Sequence, residues 1–167
     1  MMNMELLIFG TGAHARKVYH CAVQLNYRVR AFVDENSAAV APIDGVPVLS
    51  VTQALALAKV ATDSALFVAI GRDDVRRRLL DRFGTAGFAL PALVHPRAYV
   101  APDARLAEGV LVAAGAIVET GATIARGAIV DVGVIVDHDC QIGEFCHLRP
   151  GYVCAPGMVV DVAPNLK

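Results

Sequence analysis

The chain has 167 residues, 56% of them hydrophobic, and a formal net charge of −1. That length allows one domain or two small ones with a substantial core, whereas the balanced charge gives no support for a nucleic-acid partner and no apolar run reaches the ~18 residues that cross a bilayer. The four cysteines form neither a C-x-x-C pair nor a zinc-ligand spacing, so we expect reduced thiols in a cytoplasmic protein.

The first half of the chain alternates short apolar runs with helical patterns. The apolar run Glu5–Phe9 ends at Gly10, and because it is short and lacks a preceding basic segment, we predict a buried strand rather than a signal peptide. Further strands are predicted at Val29–Val33, Val46–Leu49 and Ala65–Ile70, and helices at Ala13–Gln24, Thr52–Lys59 and Asp73–Phe83. We expect Ser50 or Thr52 to cap the second helix. This alternation predicts a parallel sheet covered by helices, a Rossmann-like α/β domain over residues 1–90.

The longest basic cluster, Arg76-Arg77-Arg78, falls in the third predicted helix. Acidic side chains flank it at Asp73, Asp74 and Asp81. Mixed charges on one helix are typical of a solvated surface, so we interpret the cluster as an exposed helix face.

A glycine-rich loop, Gly10-Thr11-Gly12-Ala13-His14-Ala15, follows the first strand and opens the first helix. Its backbone N–H groups and the helix N-terminus favour an anion. Asp34 follows Gly12 by 22 residues, where an acidic residue often meets a ribose hydroxyl. His14 is placed to touch a substrate phosphate or sugar. The alternative for the two glycines is a tight turn without a ligand.

From about Val94 to Val160 the sequence follows a period of six. Every sixth residue is aliphatic except for one thiol: Val94, Val100, Leu106, Val112, Val118, Ile124, Val130, Val136, Ile142, Leu148, Cys154 and Val160. Small residues recur four positions later, with glycine before several of them, at Gly109, Gly115, Gly121, Gly127 and Gly133. A short fixed period predicts a solenoid. With three hexads to a triangular turn, residues 91–167 form a left-handed parallel β-helix of about four coils.

This pattern also predicts which side chains enter the prism. The first position points inward, the small fifth position fits the tight interior, and glycine relieves a turn where φ is positive. Cys140, Cys146 and Cys154 then fall inside, so core packing explains them, with a reactive thiol or a metal site as the minor alternative. His138 and His147 fall on outward positions.

Four motifs carry a resemblance to a known family. They are the Gly10–Ala15 loop, Phe32-Val33-Asp34-Glu35, Ala69-Ile70-Gly71-Arg72 with Val75-Arg76 after it, and Val136-Asp137-His138-Asp139-Cys140-Gln141-Ile142-Gly143-Glu144-Phe145-Cys146-His147. From Leu6 to about Gly151 the chain resembles the NeuD/PglD-like sugar O- or N-acetyltransferases of the hexapeptide-repeat superfamily. The fourth motif is long and specific, whereas the first alone is weak.

The resemblance implies an acetyltransferase with acetyl-CoA as co-substrate and no metal. It also implies a nucleotide sugar bound by the N-terminal domain and a homotrimer with active sites between subunits. The histidine matching His138 is then the general base, and the acidic residue matching Asp139, or a near neighbour, orients it. His147 and Gly157 bind acetyl-CoA. The implied substrate-binding residues are Gly10, Gly12, Ala13, His14, Asp34, Glu35, Gly71 and Arg72. The substrate is a nucleotide-linked amino sugar or a sialic-acid-like sugar.

The residues themselves support this chemistry. Acetyl transfer needs a base near neutrality, and imidazole has an unperturbed pKa of about 6.5. His138 has Asp137 and Asp139 beside it, and a carboxylate near one ring nitrogen stabilises the imidazolium. A solvated surface histidine is the alternative for His138, and a structural hydrogen bond is the alternative for His147. We read His95 as structural.

Three departures from the family pattern support a second interpretation. Relatives usually continue for further coils, which hold much of the coenzyme A site, whereas this sequence stops at Lys167. A family Ala-Gly segment that receives the acetyl carbonyl aligns with Ala155-Pro156, and proline has no N–H to donate. Asp131 stands where relatives often have asparagine. The alternative is therefore a catalytically impaired nucleotide-sugar-binding or assembly module. A small NAD-binding oxidoreductase is a weaker interpretation, since no dehydrogenase constellation follows the loop.

Overall fold

The computed structural model describes residues 4–58 and 65–161, and the chain divides into two compact units between Pro91 and Ala92. The N-terminal unit contains a parallel sheet with helices, and the C-terminal unit contains stacked two-residue strands. Within the described ranges no helix is long and apolar enough to cross a membrane. The assignment of separate functions to residues 1–90 and 91–167 stays a prediction.

The N-terminal unit has the predicted order of elements. They are β1 (Glu5–Phe9), α1 (Ala13–Gln24), β2 (Arg28–Asp34), a 3₁₀ turn (Ser37–Ala39), β3 (Val48–Ser50), α2 (Val51–Ala58), β4 (Ala65–Val68) and α3 (Asp73–Thr85). The four strands pair in parallel in the order β3-β2-β1-β4. The predicted ends agree within two residues where they are described, and Lys59 of the second predicted helix lies outside the described residues.

Burial explains why these segments adopt their structures. Residues 6–9 of β1 are buried, as expected for a central parallel strand covered on both faces. All of β4 is buried as well, although it is the last strand of the sheet, and a parallel bridge joins its Ala65 to Ala89. Helix α2 begins with a reciprocal capping box, in which the N–H of Gln53 donates to Oγ of Ser50 and the N–H of Ser50 donates to Oε1 of Gln53. Of the two expected caps, Ser50 is therefore the one used.

The interpretation of the basic cluster in α3 was wrong for one of its residues. Arg76 is fully buried, whereas Arg77 and Arg78 are exposed. The Arg76 guanidinium Nη1 donates to the carbonyl oxygens of Ile70 and Gly71 at 2.9 and 2.8 Å. Because Arg76 lies on the same side of the helix as Leu79, Leu80 and Phe83, its charge enters the core and holds the loop after β4. The apolar spacing of Leu79, Leu80 and Phe83 in the sequence does not by itself predict that a cation is buried beside them.

The C-terminal unit is built from twelve strands of two residues. They are β5 (Leu93–Val94), β6 (Tyr99–Val100), β7 (Arg105–Leu106), β8 (Leu111–Val112), β9 (Ile117–Val118), β10 (Thr123–Ile124), β11 (Ile129–Val130), β12 (Ile135–Val136), β13 (Gln141–Ile142), β14 (His147–Leu148), β15 (Val153–Cys154) and β16 (Val159–Val160). Every third strand pairs in parallel, which gives three four-stranded sheets and four coils. The predicted period of six and the coil number are confirmed.

The interior of the prism is filled as predicted. The second residue of each strand and the small fifth-position residues form one apolar cluster, which includes Cys140, Cys146 and Cys154. All three thiols are buried, and burial raises the pKa of Cys154 to about 11. The repeat glycines have φ between 65° and 71°, as the turn requires. Two later turns have a side chain at this left-handed position instead, at Asp139 and Phe145.

The outward strand residues distinguish the three faces of the prism. The apolar face, on β6, β9, β12 and β15, carries Tyr99, Ile117, Ile135 and Val153. The polar face, on β7, β10, β13 and β16, carries Arg105, Thr123, Gln141 and Val159. The third face, on β5, β8, β11 and β14, carries Leu93, Leu111, Ile129 and His147, all of them buried.

Candidate active site

His138 lies in the turn that joins β12 of the apolar face to β13 of the polar face. Its neighbour Asp139 has φ +60°, at the turn position that is glycine in most coils. Aspartate is one of the few residues that tolerates this conformation, because its short polar side chain makes local hydrogen bonds. The break in the glycine pattern therefore puts a carboxylate directly beside the imidazole.

The imidazole of His138 and the carboxylate of Asp139 form a hydrogen-bonded pair. Nδ1 of His138 lies 2.9 Å from Oδ2 of Asp139, and the two side chains are 51% and 71% exposed. The hydrogen bond to Asp139 raises the pKa of His138, and the charges of Asp137 and Glu119 act in the same direction. With a proton on Nδ1 facing the carboxylate, Nε2 is left as the basic nitrogen. This pair can accept a proton from an incoming nucleophile.

Gly157 contacts the same turn from the next coil. Its N–H donates to the carbonyl oxygen of His138 at 2.9 Å. That donor is therefore engaged within the protein, and Pro156 has no N–H at all. A role for Gly157 in acetyl-CoA binding stays a prediction. The space beside this residue is open, since nothing lies within 4 Å of a Cβ built there.

His147 does not join the His138 pair. It lies on the third face with its side chain only 10% exposed, and Nε2 lies 3.1 Å from Oδ2 of Asp131. The other oxygen of Asp131 accepts the N–H of Val132 at 2.8 Å. The side chain points out of the prism core, as predicted. Its hydrogen bond to Asp131 agrees with the alternative considered for His147, a structural role. Contact with acetyl-CoA stays a prediction.

In the N-terminal unit, a cleft of about 290 Å³ opens beside the glycine loop. It brings together four predicted substrate-binding residues: Gly10, Gly12, Asp34 and Glu35. Thr11 also lines it, and its hydroxyl donates to Oδ2 of Asp34 at 2.7 Å. Thr11 was not predicted as a site residue, although it lies inside the loop motif.

The other predicted substrate-binding residues flank this cleft. Ala13 and half-buried His14 form the first turn of α1. Gly71 and Arg72 are exposed and precede α3, and Arg72 makes a bidentate ion pair with Asp74 at 2.7 and 3.2 Å. Their contact with a substrate stays a prediction. Among the residues that the structure describes, no group of His, Cys, Asp or Glu has the arrangement of a metal site.

The two glycines of the loop differ in why the backbone tolerates or requires glycine at their positions. Gly10 has φ +112°, and a Cβ there would lie 2.9 Å from the carbonyl oxygen of Ala69. Gly12 has φ −82°, and a Cβ there would meet nothing within 4 Å. The fold therefore requires glycine at the first position only, and the second leaves backbone open toward the cleft. In dinucleotide-binding loops the second glycine serves the approach of a phosphate.

This contrast predicts different effects for two alanine substitutions. Gly10→Ala lowers the Tm, since both its φ and its contact with Ala69 disfavour a side chain. Gly12→Ala leaves the Tm nearly unchanged but weakens nucleotide-sugar binding about tenfold or more, since the new methyl occupies the phosphate approach. Thermal unfolding and calorimetric titration with GDP- and UDP-sugars measure the two effects. Unchanged affinity in Gly12→Ala would assign the loop to a structural turn.

Comparisons with known proteins show the family of the chain. The PglD N-terminal domain matches residues 5–83. A variant of perosamine N-acetyltransferase from Caulobacter crescentus, in complex with CoA and GDP-perosamine, is 36% identical with a TM-score of 0.87, over 93% of this chain and 73% of that one. The acetyltransferase domain of PglB from Neisseria gonorrhoeae, in complex with acetyl coenzyme A, is 32% identical with a TM-score of 0.81, over 92% and 74%. The chain belongs to the NeuD/PglD-like sugar acetyltransferase family.

Membership of this family confirms the predicted fold class, with a left-handed β-helix after the α/β unit, and the predicted acetyltransferase class with acetyl-CoA as co-substrate. WeeI from Acinetobacter baumannii is 23% identical with a TM-score of 0.78, over 90% of this chain and 72% of that one, and it supports the fold alone. No curated protein sequence matches the chain significantly.

Proposed function

We propose that this protein transfers the acetyl group of acetyl-CoA to the amine of a nucleotide-linked amino sugar, with His138 as general base between subunits. The observation that carries this proposal is the pair of His138 and Asp139, which leaves Nε2 of an exposed imidazole basic. Similarity to the perosamine N-acetyltransferase, which binds CoA and GDP-perosamine, supports an amine as the acceptor. A hydroxyl acceptor would use the same base.

In the proposed reaction Nε2 of His138 accepts a proton as the sugar amine attacks the thioester carbonyl. The new C–N bond forms, the C–S bond breaks, and the imidazolium returns the proton to the departing CoA thiolate. Asp139 stabilises the imidazolium through its hydrogen bond to Nδ1. General-base catalysis of this kind contributes about 10²- to 10⁴-fold in rate.

We assign nucleotide binding to the cleft beside the glycine loop. The start of α1 and the open backbone at Gly12 favour a phosphate, whereas the carboxylates of Asp34 and Glu35 suit ribose or base donors. Asp34 is already ordered by Thr11 and by the N–H of Asn36, at 2.7 and 2.8 Å. A preorganised carboxylate loses less entropy when a ligand binds.

We infer a homotrimer in which the apolar face packs against a second copy. Tyr99 and Val153 are exposed on this face, and Ile117 and Ile135 continue the same apolar column between them. A contiguous apolar column on a surface marks an association site. His138 follows Ile135 by three residues along the chain, so a partner on this face would border the imidazole.

We assign the reaction to the cytoplasm, where acetyl-CoA and nucleotide sugars are made. The four cysteines are buried and free, which agrees with a reducing compartment. A role in the synthesis of a surface polysaccharide or another glycan follows from a nucleotide-linked acceptor.

The proposal is tested by incubating the protein with acetyl-CoA and a panel of GDP- and UDP-amino sugars while following free thiol. Thiol release that requires a sugar, with a product heavier by one acetyl group, supports the proposal. The second candidate, a binding module without catalysis, is favoured by one observation: the Gly157 N–H is engaged and Pro156 has none. Sugar binding without thiol release would establish that candidate instead.

The pKa of His138 predicts the pH dependence of the reaction. Only the neutral imidazole accepts a proton, and the pKa is raised above 6.5, so kcat/KM rises with pH through a midpoint above 6.5. Asp139→Asn removes the charge that favours the imidazolium, so the midpoint moves down while the plateau rate falls. Asp44→Asn is the control, because Asp44 also has a positive φ and lies far from Asp139 in the sequence. An unchanged midpoint in Asp139→Asn would contradict the assignment.

A further inference from the structure

One corner of the β-helix is a column of stacked turns. The turns are residues 102–103, 120–121, 138–139 and 156–157, each one coil above the last. The N–H of Asp139 donates to the carbonyl oxygen of Thr120 at 3.0 Å, and the N–H of Gly157 donates to that of His138 at 2.9 Å. The backbone of the His138 turn is thus held by the turns on both sides.

Asp139 stands against Gly121 with no space for a side chain between them. A Cβ at Gly121 would overlap Oδ1 of Asp139, closer than any real contact. The other carboxylate oxygen, Oδ2, lies 2.9 Å from Nδ1 of His138. The carboxylate can reach the imidazole in this orientation because residue 121 has no side chain.

Asp103 fixes the turn that contains Gly121. Its Oδ2 accepts the hydroxyl of Thr120 at 2.7 Å and the N–H of Gly121 at 3.1 Å. The Thr120 hydrogen bond lowers the pKa of Asp103, so this carboxylate is ionised throughout the neutral range. Three successive coils therefore contribute to one arrangement, from Asp103 through Gly121 to the pair of Asp139 and His138.

We propose that Gly121 is a positioning residue for acetyl transfer, because its bare Cα leaves the space in which Asp139 aligns the imidazole of His138. The inference rests on the proposed role of His138 as general base. Gly121 touches neither substrate nor reacting atoms, and it acts only through Asp139. A side chain at 121 moves the carboxylate by roughly half an ångström or more, and misplacement on this scale is costly in catalysis.

The carboxylates that act on His138 come from its own turn and from the coil below it. Asp137 and Asp139 come from its own turn, and Glu119 precedes the Gly121 turn. The coil above contributes Ala155, Pro156 and Gly157, which do not titrate. Displacement of the Asp139 carboxylate therefore weakens the hydrogen bond that raises the pKa of His138 most, and it leaves Asp137 and Glu119 in place.

The test compares Gly121→Ala with Gly133→Ala. Both glycines are turn residues of the repeat, with φ +70° and +66°, so both substitutions carry the same backbone penalty. A Cβ at Gly133 meets nothing within 4 Å. We expect Gly121→Ala to lower kcat/KM about 10- to 100-fold and Gly133→Ala to change it less than about threefold, when both are assayed well below their Tm.

Titration of the His138 ring by NMR gives a readout that does not depend on activity. Its midpoint falls in Gly121→Ala and stays constant in Gly133→Ala if Gly121 acts through the carboxylate. A constant midpoint in both variants would overturn the inference, and so would equal losses of activity. If the wild-type protein transfers no acetyl group but the Gly121→Ala midpoint falls, the proposed function fails, and only the effect of residue 121 on the pair of Asp139 and His138 stands.

A double-mutant cycle separates an effect of Gly121→Ala through Asp139 from an independent effect of the same substitution. Asp139→Gly removes the carboxylate that a methyl at 121 would displace. In that background Gly121→Ala has nothing to move, so we expect little further loss of activity. Full additivity of the two losses would show that Gly121 acts independently of Asp139 and would overturn the inference.

Discussion

Replacing His138 with glutamine is expected to lower kcat about 10²- to 10⁴-fold, the range that a general base contributes. The amide keeps similar size and hydrogen bonding at an exposed position but accepts no proton at neutral pH. Affinity for the nucleotide sugar and for acetyl-CoA should change little, because His138 accepts the proton only in the transition state and the substitution removes no ground-state binding contact. Steady-state thiol release measures kcat, and calorimetry measures both affinities.

His20→Gln is the matched control for this substitution. His20 is exposed on α1, where its ring meets the edge of Tyr19, and no part of the proposed reaction uses it. We expect wild-type kcat in this variant. A His138→Gln enzyme with more than about a tenth of wild-type kcat would remove His138 from the role of general base.

Replacing Val153 with aspartate is expected to convert the trimer to monomers and to abolish acetyl transfer. Val153 is 57% exposed within one chain, so the protomer should fold normally with an unchanged circular dichroism spectrum. At an apolar interface, however, each buried carboxylate without a partner costs several kcal/mol. Sedimentation velocity measures the assembly state, and thiol release measures activity on the same sample.

Val159→Asp provides the same chemical change on a different face. Val159 is 56% exposed, but it lies on the polar face beside Gln141. We expect this variant to sediment like the wild type and to keep its activity. Dissociation by Val159→Asp but not by Val153→Asp would assign the interface to the polar face. A wild-type monomer with full activity would contradict the interface proposal altogether.

The fold was predictable because simple periodicities govern both units. Buried parallel strands are continuous apolar runs such as Leu6–Phe9, and a capping box such as that of Ser50 and Gln53 marks a helix start. In the β-helix each coil repeats the same steric requirement, so an inward aliphatic side chain and a positive-φ glycine recur at fixed spacing. Such rules act locally, and sequence spacing reveals them directly.

The candidate site was only partly predictable, because its contacts join residues from different coils. The pair of His138 and Asp139 is adjacent in sequence and was expected. The bond between His147 and Asp131, 16 residues apart, depends on the pitch of a coil and the rotamers of both side chains. The engagement of the Gly157 N–H with His138 likewise follows from stacking. In the α/β unit, the burial of Arg76 depends on two carbonyl groups that only the folded loop presents.

The central claim, that Nε2 of His138 deprotonates a sugar amine at a seam between two copies of the chain, has a direct structural test. A crystal structure of the assembled protein with CoA and a nucleotide-linked amino sugar measures the distance from Nε2 to the acceptor nitrogen. The account predicts about 2.6–3.2 Å, or one bridging water, with a partner subunit against the apolar face. An acceptor nitrogen bound away from this imidazole, or both ligands held within a lone protomer, would contradict it.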